Sequence, residues 1–334
     1  MKRLSFVLLA VVLMAASVFL PAPSAQALSA TDPVWGLTAS DELVRFTAGT
    51  PGTVAATVTI SGLSAGDTLV GMDFRPLNGT LYAVSNNSRI YAINTTSGVA
   101  TLTSTLSVAL AGTKFGVDFN PAVDRLRIVS DTDQNLRVNV DTGVVAVDVS
   151  STGDTALQYG ATDVNVAANP QVVASGYTNP VAGTPSTALQ GIDAGTNALV
   201  TQAPPNAGTL ATVGALGVDA GVDTSFDITS DGSLRAAITL EGGTSTGWYS
   251  LATTGAATLV GTIGGGEIIK GLAIPLPTQA PVWGLTLDNK IVTMAGVGAG
   301  RVASTVSVTG LAASGPSRNW HGWSVWLGLD GLSQ

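Results

Sequence analysis

From Thr31 onward, hydrophobic and polar residues alternate in short runs broken by Gly, Asn, Asp and Thr, and no stretch carries a helical period. The runs recur. Gly71-Met72-Asp73-Phe74-Arg75-Pro76 returns 45 residues later as Gly116-Val117-Asp118-Phe119-Asn120-Pro121, and Asn165-Val166-Ala167-Ala168-Asn169-Pro170 continues the series. Weaker copies begin at Ser225-Phe226-Asp227-Ile228 and Gly271-Leu272-Ala273-Ile274. Each copy is expected to form an inner strand, A. The B strands that follow are Leu81–Ser85, Leu126–Ser130, Val172–Tyr177 and Leu234–Leu240. The C strands are Arg89–Asn94, Leu136–Val140, a strand around Gln190–Asp193, and Trp248–Ala252. The D strands are Val99–Thr103, Val144–Val149, Leu199–Gln202 or Leu210–Val213, and Ala257–Ile263. Gly-containing turns such as Asp141-Thr142-Gly143 join C to D as hairpins. Four strands in about 45 residues is the spacing of a propeller blade.

The fifth A strand, Ile268–Ile274, lacks its own B, C and D strands before Pro275 and Pro277. The first segment supplies three strands without an A: Trp35–Thr38, Leu43–Phe46 and Val54–Ile60. Pairing them across the two ends closes a ring and removes its free edges. The expected fold is an all-β, five-bladed β-propeller over residues 33–277, closed by the N-terminal strands, with a six-bladed ring or a β-sandwich as alternatives. A second repeat follows. Pro33-Val-Trp-Gly-Leu-Thr38 returns as Pro281-Val-Trp-Gly-Leu-Thr286, and the match runs without a gap to Ala65 and Ala313, with 15 of 33 positions identical. Residues 281–313 thus read as a partial second copy of the domain start. The tail 314–334, with Trp320, Trp323, Trp326 and the single His321, departs abruptly from the repeat and reads as a remnant or, alternatively, as an aromatic arm.

Composition narrows the chemistry. The chain has 334 residues, no Cys, one His and 11% charged residues, so thiol chemistry and Cys-ligated metals are excluded. Met1-Lys2-Arg3, the apolar run Leu4–Leu20 and Ala25-Gln26-Ala27 have the layout of a signal peptide, residues 1–27, which points to a secreted or periplasmic protein. No later apolar run has membrane-spanning length. Without Lys2 and Arg3, 12 basic residues face 22 acidic ones, a net charge of −10. A surface of that sign without a basic cluster argues against nucleic acid and anionic membranes as partners. A monomer is expected.

Gly116-Val-Asp-Phe-Asn-Pro-Ala-Val-Asp-Arg-Leu-Arg-Ile-Val-Ser130 and Asp131-Thr-Asp-Gln-Asn-Leu-Arg-Val-Asn-Val-Asp-Thr-Gly143 closely resemble a secreted bacterial family, the domain of unknown function 4394. Leu199-Val-Thr-Gln-Ala-Pro-Pro-Asn-Ala-Gly-Thr-Leu210 and Val213-Gly-Ala-Leu-Gly-Val218 resemble further parts of it. The resemblance covers about residues 34–276. It implies an exported, propeller-like domain and no particular reaction.

Candidate functional residues fall into three groups. The long connections Ser150–Thr162, Thr178–Ala188 and Gly214–Thr224 are expected on one end of the blades, the D-to-A and B-to-C end, where Tyr159, Tyr177 and Asn179 are the candidates to meet a ligand, although for the two tyrosines a place at the edge of the core is the favoured reading. Asp131, Asp133 and Asn135 offer oxygens at alternate positions, a spacing that suits Ca²⁺, but Leu136 and Thr142 break the EF-hand pattern, and an Asx-rich turn is the favoured reading of these residues. Asp73, Asp118 and Asp227 hold equivalent A-strand positions near the channel. They are either hydrogen-bonding devices between blades or the carboxylates of a glycoside hydrolase or lyase. The favoured reading is a non-enzymatic exported propeller that binds an extracellular glycan, a peptide or a cell-surface component through its long-loop face. The alternative is the carboxylate-dependent enzyme.

Overall fold

The computed structural model of the chain describes residues 27–146 and 154–276, together with three strands between residues 282 and 307. Its first strands are β1 (Pro33–Thr38), β2 (Glu42–Thr47) and β3 (Ala56–Thr59). The first complete blade is the meander β4 (Leu69–Phe74), β5 (Leu81–Ser85), β6 (Arg89–Ile93) and β7 (Ala100–Thr105). The second has β8 (Phe115–Asn120), β9 (Arg125–Ser130) and β10 (Asn135–Val138), with Val145 bridging back to Val138. The short β11 (Gln158–Tyr159) runs parallel to the outermost strand of the third blade, which is β12 (Val172–Tyr177), β13 (Leu189–Asp193), β14 (Ala198–Gln202) and β15 (Thr209–Ala215). The fourth blade is β16 (Ala220–Ile228), β17 (Leu234–Leu240), β18 (Thr246–Leu251) and β19 (Ala257–Thr262), and β20 (Ile269–Ala273) follows it.

The inner strands neighbour one another in the order β4, β8, β12, β16, β20 and back to β4, so the sheets form a five-bladed ring. Strand β20 pairs antiparallel with β1, placing Gly36 opposite Leu272 and Trp35 opposite Ala273. The fifth blade is therefore β20-β1-β2-β3, built from both ends of the domain. Burial follows position in the blade. Strands β5 and β12 are buried at every residue, whereas β3, β7 and β19 are largely exposed on the rim. A strand covered on both faces carries a near-continuous apolar run, while a rim strand alternates with polar residues.

Five hydrophobic clusters fill the five seams between blades. Val34, Phe46 and Trp248 sit between the fifth and fourth blades, for example, and Tyr82, Phe119 and Leu126 between the first and second. Glycines of the C-to-D turns let the rim close up. Gly98 (φ +72°) and Gly143 (φ +73°) have left-handed backbones, and a Cβ added to either would lie 2.2 Å from the Thr59 carbonyl oxygen or 1.9 Å from that of Thr105.

The third blade departs from the sequence reading. Asn165–Pro170 is a surface turn in place of an inner strand: Val164 and Val166 are exposed, and Asp163 accepts hydrogen bonds from the N–H groups of Asn165 and Thr212. The inner strand is Val172–Tyr177, expected as a B strand, and the strands that follow move inward by one place. The two D-strand alternatives are both strands, the third and fourth of this blade. This shift also corrects the expectation that all long connections share one end. Thr178–Ala188 now joins a first strand to a second, at the opposite end from the expected one. Most of Gly214–Thr224 is strand, with only residues 216–219 between β15 and β16.

A second unit contains β21 (Val282–Leu285), β22 (Lys290–Met294) and β23 (Val302–Ser307), paired in that order. Its register repeats that of β1–β3. Trp283 faces Thr293 as Trp35 faces Arg45, and Lys290 faces Ser307 as Glu42 faces Thr59. Residues 1–26, all but the last residue of the segment expected as a signal peptide, and the tail with Trp320, His321, Trp323 and Trp326 lie outside the described residues.

Candidate functional site at the channel mouth

Asp73, Asp118 and Asp227 stand near the ends of the inner strands β4, β8 and β16, where they approach the channel axis. Each reaches the next blade. Asp73 Oδ2 accepts the N–H of Phe119 at 2.8 Å, Asp118 Oδ1 that of Tyr177 at 3.0 Å, and Asp227 Oδ2 that of Ile274 at 2.6 Å. In every case the donor follows the position equivalent to the carboxylate in the neighbouring blade. The two inner strands without an acid therefore carry Gly176 and Ala273 at this level. Ala167, aligned there by sequence, belongs to the surface turn. The second oxygen of Asp73 accepts the N–H of Phe74 at 2.7 Å.

The three carboxyl groups line a cavity of about 290 Å³ at this end of the channel. Phe74, Phe119, Pro76, Pro180 and Pro275 supply apolar wall, Asp32 is a fourth acidic residue, and no Lys, Arg or His lines the space. Burial dominates the electrostatics. It raises all three acids, and mutual repulsion adds to it: Asp227 acts on Asp73, and both act on Asp118. Asp227 is pushed up to about 7 by burial, partly offset by backbone N–H donors. Such acids both donate and accept hydrogen bonds while protonated, and a positively charged group brought into the cavity favours their ionised form. Burial holds all three acids towards the protonated form.

The other candidate residues are placed differently. Tyr159 is buried, and its hydroxyl donates to Asp193 at 2.5 Å and meets Thr196 at 2.9 Å. Tyr177 is buried with its hydroxyl accepting from Arg127 at 3.3 Å. Neither ring is presented at the surface, because both fill seams between blades. Asn179 (φ +53°) donates to the Ser186 carbonyl and staples its own loop. Asp131 accepts from the Thr113 N–H and hydroxyl, Asp133 (φ +68°) turns the chain, and Asn135 is buried between Arg127, Gln202 and the Thr155 carbonyl. Their side chains serve different parts of the fold. Among the described residues, no group of three or more acidic or imidazole side chains is arranged to hold a metal ion.

The model of a domain of unknown function, DUF4394, matches residues 42–273, which takes in the channel carboxylates and most of the ring. The chain belongs to this family. No curated protein matches it. Among solved structures it is similar to a chain in the crystal structure of a nidogen/laminin complex, with 12% identity, 83% of this chain and 93% of that one covered, and a TM-score of 0.42. It is also similar to a structural-genomics protein of unknown function from Bacteroides thetaiotaomicron, with 12% identity, coverage of 82% and 69%, and a TM-score of 0.45. The WD40 domain of Toxoplasma gondii coronin matches at 12% identity, with coverage of 80% and 65% and a TM-score of 0.34.

Two arginines of this DUF4394 domain, absent from the sequence-based candidates, fix the elements around the site. Arg75, the arginine of the Gly71–Pro76 repeat, grips Asp124 at 2.6 and 2.8 Å and Asp141 at 2.8 and 2.9 Å, clamping two turns of the second blade. Its guanidinium also lies 5.8 Å from the centre of the Tyr82 ring. Arg127, 1% exposed, binds Asp154 at 2.5 Å, Asn135 at 2.7 Å and Asn206 at 3.0 Å. Strand β9 reads Arg-Leu-Arg-Ile-Val-Ser. The arginine between two apolar residues in an otherwise buried strand is the sequence signal of this network, since a buried charge requires a partner.

Proposed function

We propose that the domain is a non-enzymatic binding module of an exported protein, which takes part of an extracellular glycan, a peptide or a cell-surface component into the cavity at the channel mouth. The observation that carries this reading is the convergence of Asp73, Asp118 and Asp227 on a 290 Å³ space with aromatic and proline walls. A concave site with apolar walls and a few converging polar groups is the usual form of a ligand pocket. With four acids and no base in its lining, the fitting ligand group is an amine, a guanidinium or a cluster of hydroxyl donors. Export rests on the basic, apolar and Ala-x-Ala pattern of the leader. No helix among the described residues is long and apolar enough to cross a membrane.

The test is a thermal-shift screen of the mature chain against glycans, peptidoglycan fragments and lysine- or arginine-containing peptides. A ligand that binds only the native state raises the midpoint. Asp118→Asn should abolish the shift. If no glycan, peptide or amine moves the midpoint of the native chain, the reading fails.

A second reading, a carboxylate-dependent hydrolase or lyase, is favoured by the burial of Asp227 at the cavity, which pushes its carboxyl up to about 7, the range of a general acid. Against it, both oxygens of Asp73 are held by backbone N–H donors. Release of reducing sugar that disappears in Asp227→Asn would favour this enzyme.

A further inference from the structure

The opposite mouth of the channel holds a cavity of about 180 Å³, and both lysines of the propeller, Lys114 and Lys270, line it. Counting back from the channel carboxylates, Lys270 stands where the other inner strands carry Val70, Phe115, Val173 and Thr224. Lys114 and Asp223 occupy the preceding level, where three other strands carry Leu69, Val172 and Ile269. The repeat thus calls for apolar or uncharged residues at these places, and three charges stand there against it. Departures of this kind are expected at sites of function.

The charges are balanced. Lys114 pairs with Asp223 across the mouth, from the second blade to the fourth, and Lys270 pairs with Asp41 at 2.6 Å. An ammonium has three donors, so each lysine retains donors beyond its ion pair. Deeper in the channel a waist of about 10 Å³ also touches Lys270, and it contains the hydroxyls of Ser175 and Ser225. Both serines are more than nine-tenths buried, and neither hydroxyl has a partner. An unpaired buried hydroxyl is costly, and a space of this size admits one hydroxyl group or one water.

The geometry points to a second ligand site, for one neutral sugar ring, between Lys114, Asp223 and Lys270. An anion would bring an uncompensated charge to a site whose ion pairs already cancel. Neighbouring sugar hydroxyls accept from the ammonium groups and donate to Asp223, and the innermost hydroxyl, or the water it binds, reaches Ser175 and Ser225. The site lies at the end of the channel away from Asp73, Asp118 and Asp227, so it stands or falls apart from the proposed cavity function.

The experiment is calorimetric titration of the mature full-length chain with methyl mannoside, methyl glucoside, methyl galactoside and N-acetylglucosamine, with acetate and inorganic phosphate as anionic probes. At least one sugar should bind with a dissociation constant in the millimolar range or tighter. Lys270→Gln and Ser225→Ala should each weaken it about tenfold, and Val164→Ser, at an exposed turn away from both cavities, should leave it unchanged. Lys114→Gln serves as a further variant if Lys270→Gln does not fold. The proposal is overturned if none of the sugars binds, if only the anions bind, or if sugar binding survives in both lysine variants.

Discussion

The carboxylate of Asp73 accepts the backbone N–H of Phe119 at 2.8 Å, so an inner-strand acid of the first blade completes the hydrogen bonding of the second. The same relation joins the second blade to the third and the fourth to the fifth. These acids hold the ring together at the level where they also line its cavity. A hydrogen bond to a carboxylate is stronger than one to a neutral group, yet burial raises the cost of the charge that makes it so.

This conflict predicts an unusual pH dependence. The native ring binds the protons of Asp73, Asp118 and Asp227 more tightly than the unfolded chain does. Their contribution to stability is therefore complete below about pH 4, the unfolded carboxylate value, and is lost as pH rises through about 7 for Asp227. Asp141, pulled down by Arg75, and Asp67, Asp163 and Asp231, where hydrogen bonds outweigh the upward push of burial, act in the opposite sense and lose stability on acidification. The thermal midpoint should peak in the mildly acidic range and fall towards pH 8. Asp227→Asn should flatten the fall and raise the midpoint at pH 8, by roughly 2–4 °C for each kcal/mol relieved. Midpoints measured across pH 4–9 in both proteins check this.

Arg75 predicts a loss that lysine cannot repair. Arg75→Gln releases the turns carrying Asp124 and Asp141 and should destabilise the ring by about 1–3 kcal/mol, less than a fully buried pair because both acids are partly exposed. Arg75→Lys should recover less than half, since an ammonium cannot form two parallel forks. Denaturant midpoints at constant m-value provide the measurement.

The Arg127–Asp154 pair is more exacting. Arg127 and Asp154 have side-chain exposures of 1% and 0%, and Arg137 shares the same carboxylate at 2.8 Å. Asp154→Ala leaves two guanidinium groups short of a partner and should cost about 3–5 kcal/mol. Urea unfolding of this variant should show a markedly lower midpoint.

Gly143→Ala should destabilise by more than the roughly 1 kcal/mol of an ordinary glycine substitution. The added Cβ meets the Thr105 carbonyl as well as a left-handed backbone. Gly79→Ala, with φ +69° and open space around it, is the matched control and should cost less. Thermal midpoints of the two variants separate the clash from the strain.

The blade count and the closing strands are legible in the sequence because Gly-x-Asp-Phe, at Gly71–Phe74 and Gly116–Phe119, and its weaker copies Ser225–Ile228 and Gly271–Ile274 mark each inner strand except one. The exception misled for a physical reason. Asn165–Pro170 keeps the Asn-Pro ending of the repeat but has Asn165 for its Gly and the small Ala168 for its Phe, and it folds as an Asx-capped turn, while Val172–Tyr177 carries the uninterrupted burial of an inner strand. The carboxylates of the cavity are visible as a repeated Asp, yet the cavity itself is not, because Pro180 reaches it only through the connection that moved to the other end. Tyr159 and Tyr177 lie beside long connections in the sequence, and only packing shows that their rings fill the seams. Arg75 and Arg127 find their acids 49 to 66 and 27 residues away, separations that no local pattern reveals.

The pairing of β1 with β20 also sets the order of events in the life of the chain. Each complete blade is a local meander that can form as soon as its own residues are available, but Gly36 cannot meet Leu272 until the far end of the domain has been made. Until then the molecule is an open crescent, with the edge of β1 unpaired and one flank of the first blade uncovered. Non-local pairings of this reach form slowly. Until the last strand arrives, the edge of β1 is the part of the chain most open to wrong pairing, and the strand that completes the ring is also the one that removes this hazard.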